Sequence, residues 1–134
     1  MTAENSRQLQ TRLHDLLVAK KLLEPGNRKS RLHWNSPTPA LPHIVNLSVA
    51  GYPSALLAKL LEERGCYVSV GSACSSQKVE PDAVLTAMGL PSELCQSSIR
   101  ISFSGENTLA EVDTLVNALD DSIQMMARLL GPVR

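Results

Sequence analysis

The chain has 134 residues, 13 basic and 13 acidic side chains and a hydrophobic fraction of 43%. That length suits one domain able to bury a core without a metal or disulfide staple. The balanced charge leaves no net field to draw nucleic acid or an anionic membrane. The first predicted element is a helix from about Asn5 or Ser6 to Leu23, with Leu9, Leu13, Leu16 and Leu17 as its apolar stripe. "EPGN" (Glu24 to Asn27) stops it, because proline and glycine break helices. The basic run "GNRKSR" (Gly26 to Arg31) reads as a solvated loop. "RLHW" (Arg31 to Trp34) is a candidate short strand, and "NSPTPALP" an irregular connection.

"HIVNLSV" (His43 to Val49) reads as a strand. Pro53 suits the start of a helix running to about Arg64, with Leu56, Leu57, Leu60 and Leu61 inward and Gly65 as its cap. "CYVSV" (Cys66 to Val70) is a further strand, and "GSACSS" follows it as a loop. A short helix over Glu80 to Gly89 and a helical turn over Pro91 to Gln96 come next. "SIRISF" (Ser98 to Phe103) alternates: Ile99, Ile101 and Phe103 on one face, Arg100 and Ser102 on the other. The last helix opens on a capping box, Thr108 with Glu111. Leu109, Val112, Val116, Leu119, Ile123, Met126 and Leu130 then form one apolar seam, ended by Gly131 and Pro132. This order predicts an α+β domain: a small, largely antiparallel sheet of about 3–4 strands with helices mainly on one face.

Three cysteines, Cys66, Cys74 and Cys95, form an odd set without Cys-x-x-Cys spacing. That argues against a disulfide framework or a metal site and for free thiols in a reducing compartment. No transmembrane run or signal-peptide core is visible, so a cytoplasmic location is expected. Cys74 stands out, because a structural cysteine is normally buried and this one sits among Gly71, Ser72, Ala73, Ser75 and Ser76. A working thiol needs exposure and a lowered pKa. The helix starting near Pro81 directs its positive end toward this loop, which favours a thiolate. Cys66 and Cys95 read as structural, and His14, His33 and His43 as surface or satisfied histidines. Arg100 lies mid-strand opposite the core-facing side. A guanidinium there could clamp a carboxylate through two parallel hydrogen bonds, or simply face solvent. Ser97 and Ser98 could bond a ligand or end the strand.

The stretch "VSVGSACSSQKVEPDAVLTAMGLPSELCQSSIRIS" closely resembles the C-terminal segment of cysteine desulfurases, pyridoxal-phosphate enzymes of the class V aminotransferase group. It carries the family's strand, Gly-Ser-Ala-Cys-(Ser/Thr)-Ser, Glu-Pro, Ala-x-Gly-Leu and Ser-Ile-Arg in order. "ALPHIVNLSV" looks like the family's Leu-Pro-x-x-x-Asn-(Val/Leu)-Ser segment, and "NTLAEVDTLVNAL" like its closing helix. The resemblance spans nearly the whole chain.

It implies that Cys74 attacks the sulfur of L-cysteine bound to the cofactor, becoming a persulfide and leaving alanine. Arg100 matches the arginine that grips the substrate carboxylate. The Gly-Ser-Ala-Cys form resembles the long-loop subgroup, which donates sulfur to iron–sulfur assembly or to tRNA and cofactor thiolation. The partners implied are L-cysteine, a sulfur-acceptor protein and, in the complete enzyme, a homodimeric mate; no nucleic acid or membrane partner is implied. Two departures stand out. "FSGEN" (Phe103 to Asn107) replaces the family's Leu-Gly-Arg, which suggests a divergent branch. No His-Lys pair provides the Schiff-base lysine; Lys20, Lys21, Lys29, Lys59 and Lys78 all sit in unsuitable contexts. Residues 1–134 are therefore expected to form a single small C-terminal domain, excised, split or truncated from its cofactor-binding large domain. No cofactor-binding residue is expected in this chain, which alone would be inactive. The alternatives are a non-catalytic docking module, using the first and last helices, and a selenocysteine lyase domain.

Overall fold

The computed structural model describes residues 3–27, 29–36, 44–70, 97–103 and 107–131. The stretch from Gly71 to Gln96 lies outside them, and with it Cys74, Cys95, Lys78, the rest of the Gly-Ser-Ala-Cys loop and the two helical segments expected at 80–96. His43 and most of "NSPTPALP" also lie outside. The described elements are α1 (Ala3–Ala19), β1 (Leu32–Trp34), β2 (Ile44–Val49), α2 (Ser54–Glu63), β3 (Ser69–Val70), β4 (Ser98–Ser102) and α3 (Leu109–Leu130). The four strands pair antiparallel in the order β1-β2-β4-β3. The α+β class, the strand number and the antiparallel sense are as the sequence predicts.

Burial on one side of the sheet comes from alternation. Leu32 on β1, Val45, Leu47 and Val49 on β2, and Ile99 and Ile101 on β4 share one face and join one core with Leu13 and Leu17 of α1. Leu57 and Leu61 of α2 and Val116, Leu119, Ile123 and Met126 of α3 complete it. The middle of the α3 seam is buried as expected, whereas its ends, Leu109 and Leu130, are exposed. In α2, Leu57, Leu60 and Leu61 are buried and Leu56 only partly so.

Helix ends follow local chemistry. Thr108 Oγ1 accepts the Glu111 N–H at 3.2 Å, and Glu111 Oε1 accepts the Thr108 N–H at 2.9 Å, so the capping box is complete. Pro53 is the N-cap of α2 rather than its first helical residue. At the other end the Gly65 N–H donates to Glu62 O and the Cys66 N–H to Leu61 O, with Gly65 at φ 80°. That is a Schellman ending, which glycine adopts without a Cβ clash.

Two boundaries differ from expectation. Helix α1 ends at Ala19, not Leu23. The positions three and four after Leu17 are Lys20 and Lys21, so a longer helix would turn lysines into the core. Instead Lys21 takes φ 60°, and the N–H groups of Leu22 and Leu23 both turn back to Leu17 O. Leu22 and Leu23 are thereby buried, and Leu22 O accepts the Leu32 N–H at the edge of β1. Strand β3 is also shorter than "CYVSV": only Ser69 and Val70 pair, opposite Arg100 and Ile99. Cys66 is held back by the α2 ending.

Helix α3 packs against both α1 and α2. Its link to α1 includes a forked ion pair, Arg12 Nε to Asp113 Oδ1 at 2.9 Å and Arg12 Nη2 to Oδ2 at 3.1 Å. The hydrogen bond from Arg12 holds the Asp113 carboxyl below the usual carboxylate range. A carboxyl whose pKa is lower folded than unfolded stabilises the fold above its unfolded pKa and loses that contribution as pH falls through the folded value. Asp113→Asn is therefore expected to lower the unfolding midpoint modestly from pH 7 down to about pH 5, with the difference from wild type vanishing well below about pH 4. Parallel urea titrations across that range check it.

Candidate anion site on the polar sheet face

The sheet's other face is nearly all polar. By register and alternation it presents Ile44, Asn46 and Ser48 from β2, Ser98, Arg100 and Ser102 from β4, and Ser69 from β3. His33 of β1 joins them opposite Ser48, and Asn35 lies just beyond β1, its N–H donating to Asn46 O at 2.9 Å. Among these described residues Arg100 carries the only formal charge. It is exposed, and no described carboxylate pairs with it.

Its neighbours are fixed by strand geometry. Asn46 lies directly opposite Arg100 on β2, and Ser69 opposite it on β3. The Val49 N–H donates to Ser97 O, so Val49 and Ser97 form a hydrogen-bonded pair of the β2–β4 ladder. Pairs alternate in an antiparallel ladder, which makes Asn46 and Arg100 a non-hydrogen-bonded pair, the closer kind, with Cβ atoms about 5 Å apart. Asn46 is itself held from the β1 side. Asn35 Nδ2 donates to Asn46 Oδ1 and to Ser48 Oγ, both at 2.7 Å, and the Asn46 N–H donates to Ser36 Oγ at 2.8 Å. Asn35 and Ser48 are buried, so these bonds form largely away from water.

A guanidinium among neutral donors and acceptors, with no competing carboxylate among the described residues, is suited to binding an anion. A planar fork matches a carboxylate in particular. The sequence located Arg100 and its face. It did not single out Asn46, which reads there only as a polar residue in an apolar run; the asparagine's place opposite Arg100 depends on which strands are neighbours.

Cys66 is half-buried, and burial pushes its thiol pKa up. That fits its structural reading, because a protonated thiol is a poor nucleophile. His14 and His33 line an open groove of about 490 Å³ beside β1 that also takes in Glu24, Asn27, Trp34 and Asn35. His14 stands edge-on to Trp34 with ring centroids 5.0 Å apart. Neither histidine is adjacent to Arg100. Among the described residues no three His, Cys, Asp or Glu side chains converge as a metal site would need. No described helix is long and apolar enough to cross a membrane.

A family model described as aminotransferase class-V matches residues 1–115. The chain belongs to the class-V aminotransferase family. Its relatives within that family include cysteine desulfurases. The cysteine desulfurase IscS of Methanosarcina thermophila is 33% identical over 127 residues, which cover 94% of this chain and 30% of that protein. IscS of Vibrio cholerae serotype O1 is 40% identical over 93 residues, 69% of this chain and 22% of that one. Among solved structures, a NifS-like protein superposes with a TM-score of 0.71 at 25% identity, over 92% of this chain and 28% of its own. This class-V chain thus spans under a third of the relatives it matches.

Proposed function

We propose that this chain carries the carboxylate-gripping and sulfur-accepting groups of a cysteine desulfurase. The observation that carries the reading is Arg100, a charge without a described carboxylate partner, set on a polar sheet face. The names of the relatives, cysteine desulfurases, supply the substrate class: L-cysteine, whose carboxylate the guanidinium would take. The second group is Cys74, outside the described residues. Three residues separate it from Val70, so their Cα atoms lie at most about 14 Å apart. Val70 pairs with Ile99, the residue before Arg100. That short chain distance supports pairing the two groups in one site.

The overall change balances without an external oxidant. The Cys74 thiolate attacks the substrate sulfur, one S–S bond forms and the Cβ–S bond breaks, its electron pair staying on Cβ, which takes up a proton. L-Cysteine becomes L-alanine, and Cys74 becomes a persulfide that passes its outer sulfur to an acceptor protein, for iron–sulfur assembly or thiolation. Pyridoxal phosphate is the cofactor of the complete enzyme in this reading. Lys20, Lys21, Lys29 and Lys59 all lie off the strands, and Lys20 faces Asp120 of α3 at 3.9 Å. The described residues do not fit a Schiff-base site, and the roles assigned here belong to this chain's own side chains.

Treating the full chain with a small-molecule persulfide tests the thiol assignment. Exchange moves one sulfur onto a protein thiolate and releases the donor's thiol. Peptide mass spectrometry is expected to find the extra sulfur on Cys74 well ahead of Cys66 and Cys95. Equal loading of all three would overturn the assignment.

A further inference from the structure

Resting on the reading of Arg100 as a carboxylate clamp, we propose that Asn46 is a second carboxylate-binding residue, presenting its side-chain N–H pair beside the guanidinium. Three observations converge on it. Half-buried Asn46 stands opposite exposed Arg100 as a close, non-hydrogen-bonded pair on the polar face. Its Oδ1 is occupied by Asn35 Nδ2 at 2.7 Å, and no described group takes its Nδ2 hydrogens, which leaves them to offer among the described residues. Asn35 is a positioning residue: it is buried, also holds Ser48, and reaches Asn46 through both backbone and side chain.

The consequence is a mixed donor set. The guanidinium supplies charge and a planar fork; the amide supplies one or two neutral donors from the neighbouring strand. A carboxylate lying across β2 and β4 could take both, and the pair would fix its direction where a lone arginine on a flexible stem would not. Asparagine serves where aspartate would fail, because a carboxylate at position 46 would pair with Arg100 and exclude the ligand.

The test is a nitrogen-15 NMR titration of the full chain with propionate, using propionamide as the uncharged control. The Arg100 Nε–H and Asn46 Nδ2 resonances are expected to move with propionate and not with propionamide. Asn46→Asp keeps the acceptor that Asn35 bonds while removing the donors. It is expected to weaken propionate binding at least tenfold with the amide signals of Leu47 and Ile99 unmoved. Asn46→Ala is expected to weaken it about threefold. If Arg100 responds but Asn46 neither shifts nor matters when replaced, this inference fails and the clamp reading stands. If Arg100 itself is silent, both fail.

Discussion

Arg100→Ala is expected to weaken carboxylate binding by about 10- to 100-fold, as the loss of charge-assisted hydrogen bonds worth about 1.5–3 kcal/mol implies. Propionate affinity of the full chain reads this directly. Arg100→Lys should recover only part of it, since an ammonium keeps the charge and loses the fork. Stability should change by no more than about 0.5 kcal/mol, because the side chain is exposed and supports no described contact. A bystander arginine on a wet strand would give the small stability effect and no binding effect. An unchanged propionate affinity would remove the clamp.

One residue from Asn46 the opposite outcome is expected. Leu47 is fully buried on the core side of β2, opposite Ile99 and Trp34. Leu47→Ala removes buried methylenes and leaves a cavity between the sheet and the helices, at a cost of about 2–5 kcal/mol. For a domain whose whole stability is about 5–15 kcal/mol, that is a large share. The urea midpoint should drop by about 1–2 M at an unchanged slope. A shift below a few tenths of a molar would mean that the core is not built around this strand pair.

These two neighbours show what was legible beforehand. Alternation in "SIRISF" separated Ile99 and Ile101 from Arg100 and Ser102, because side-chain direction in a strand is a local property. The capping box of α3 was legible for the same reason. The site as a pair was not. That Asn46 faces Arg100 depends on β2 lying beside β4, a pairing of segments more than 50 residues apart. The end of α1 was misjudged because Leu22 and Leu23 continue the apolar composition of the helix. Their burial depends on a left-handed Lys21 and on a hydrogen bond to Leu32, neither visible in composition. The resemblance of the "GSAC" stretch pointed to the family, which the class-V match supports independently of any geometry at Cys74.

The Ser69–Arg100 and Val70–Ile99 pairs put β3 on one side of β4, as the β2 pairs occupy the other. Arg100 thus projects from a strand flanked on both sides, so the direction of its Cα–Cβ bond is set by the ladder rather than by the side chain's own packing.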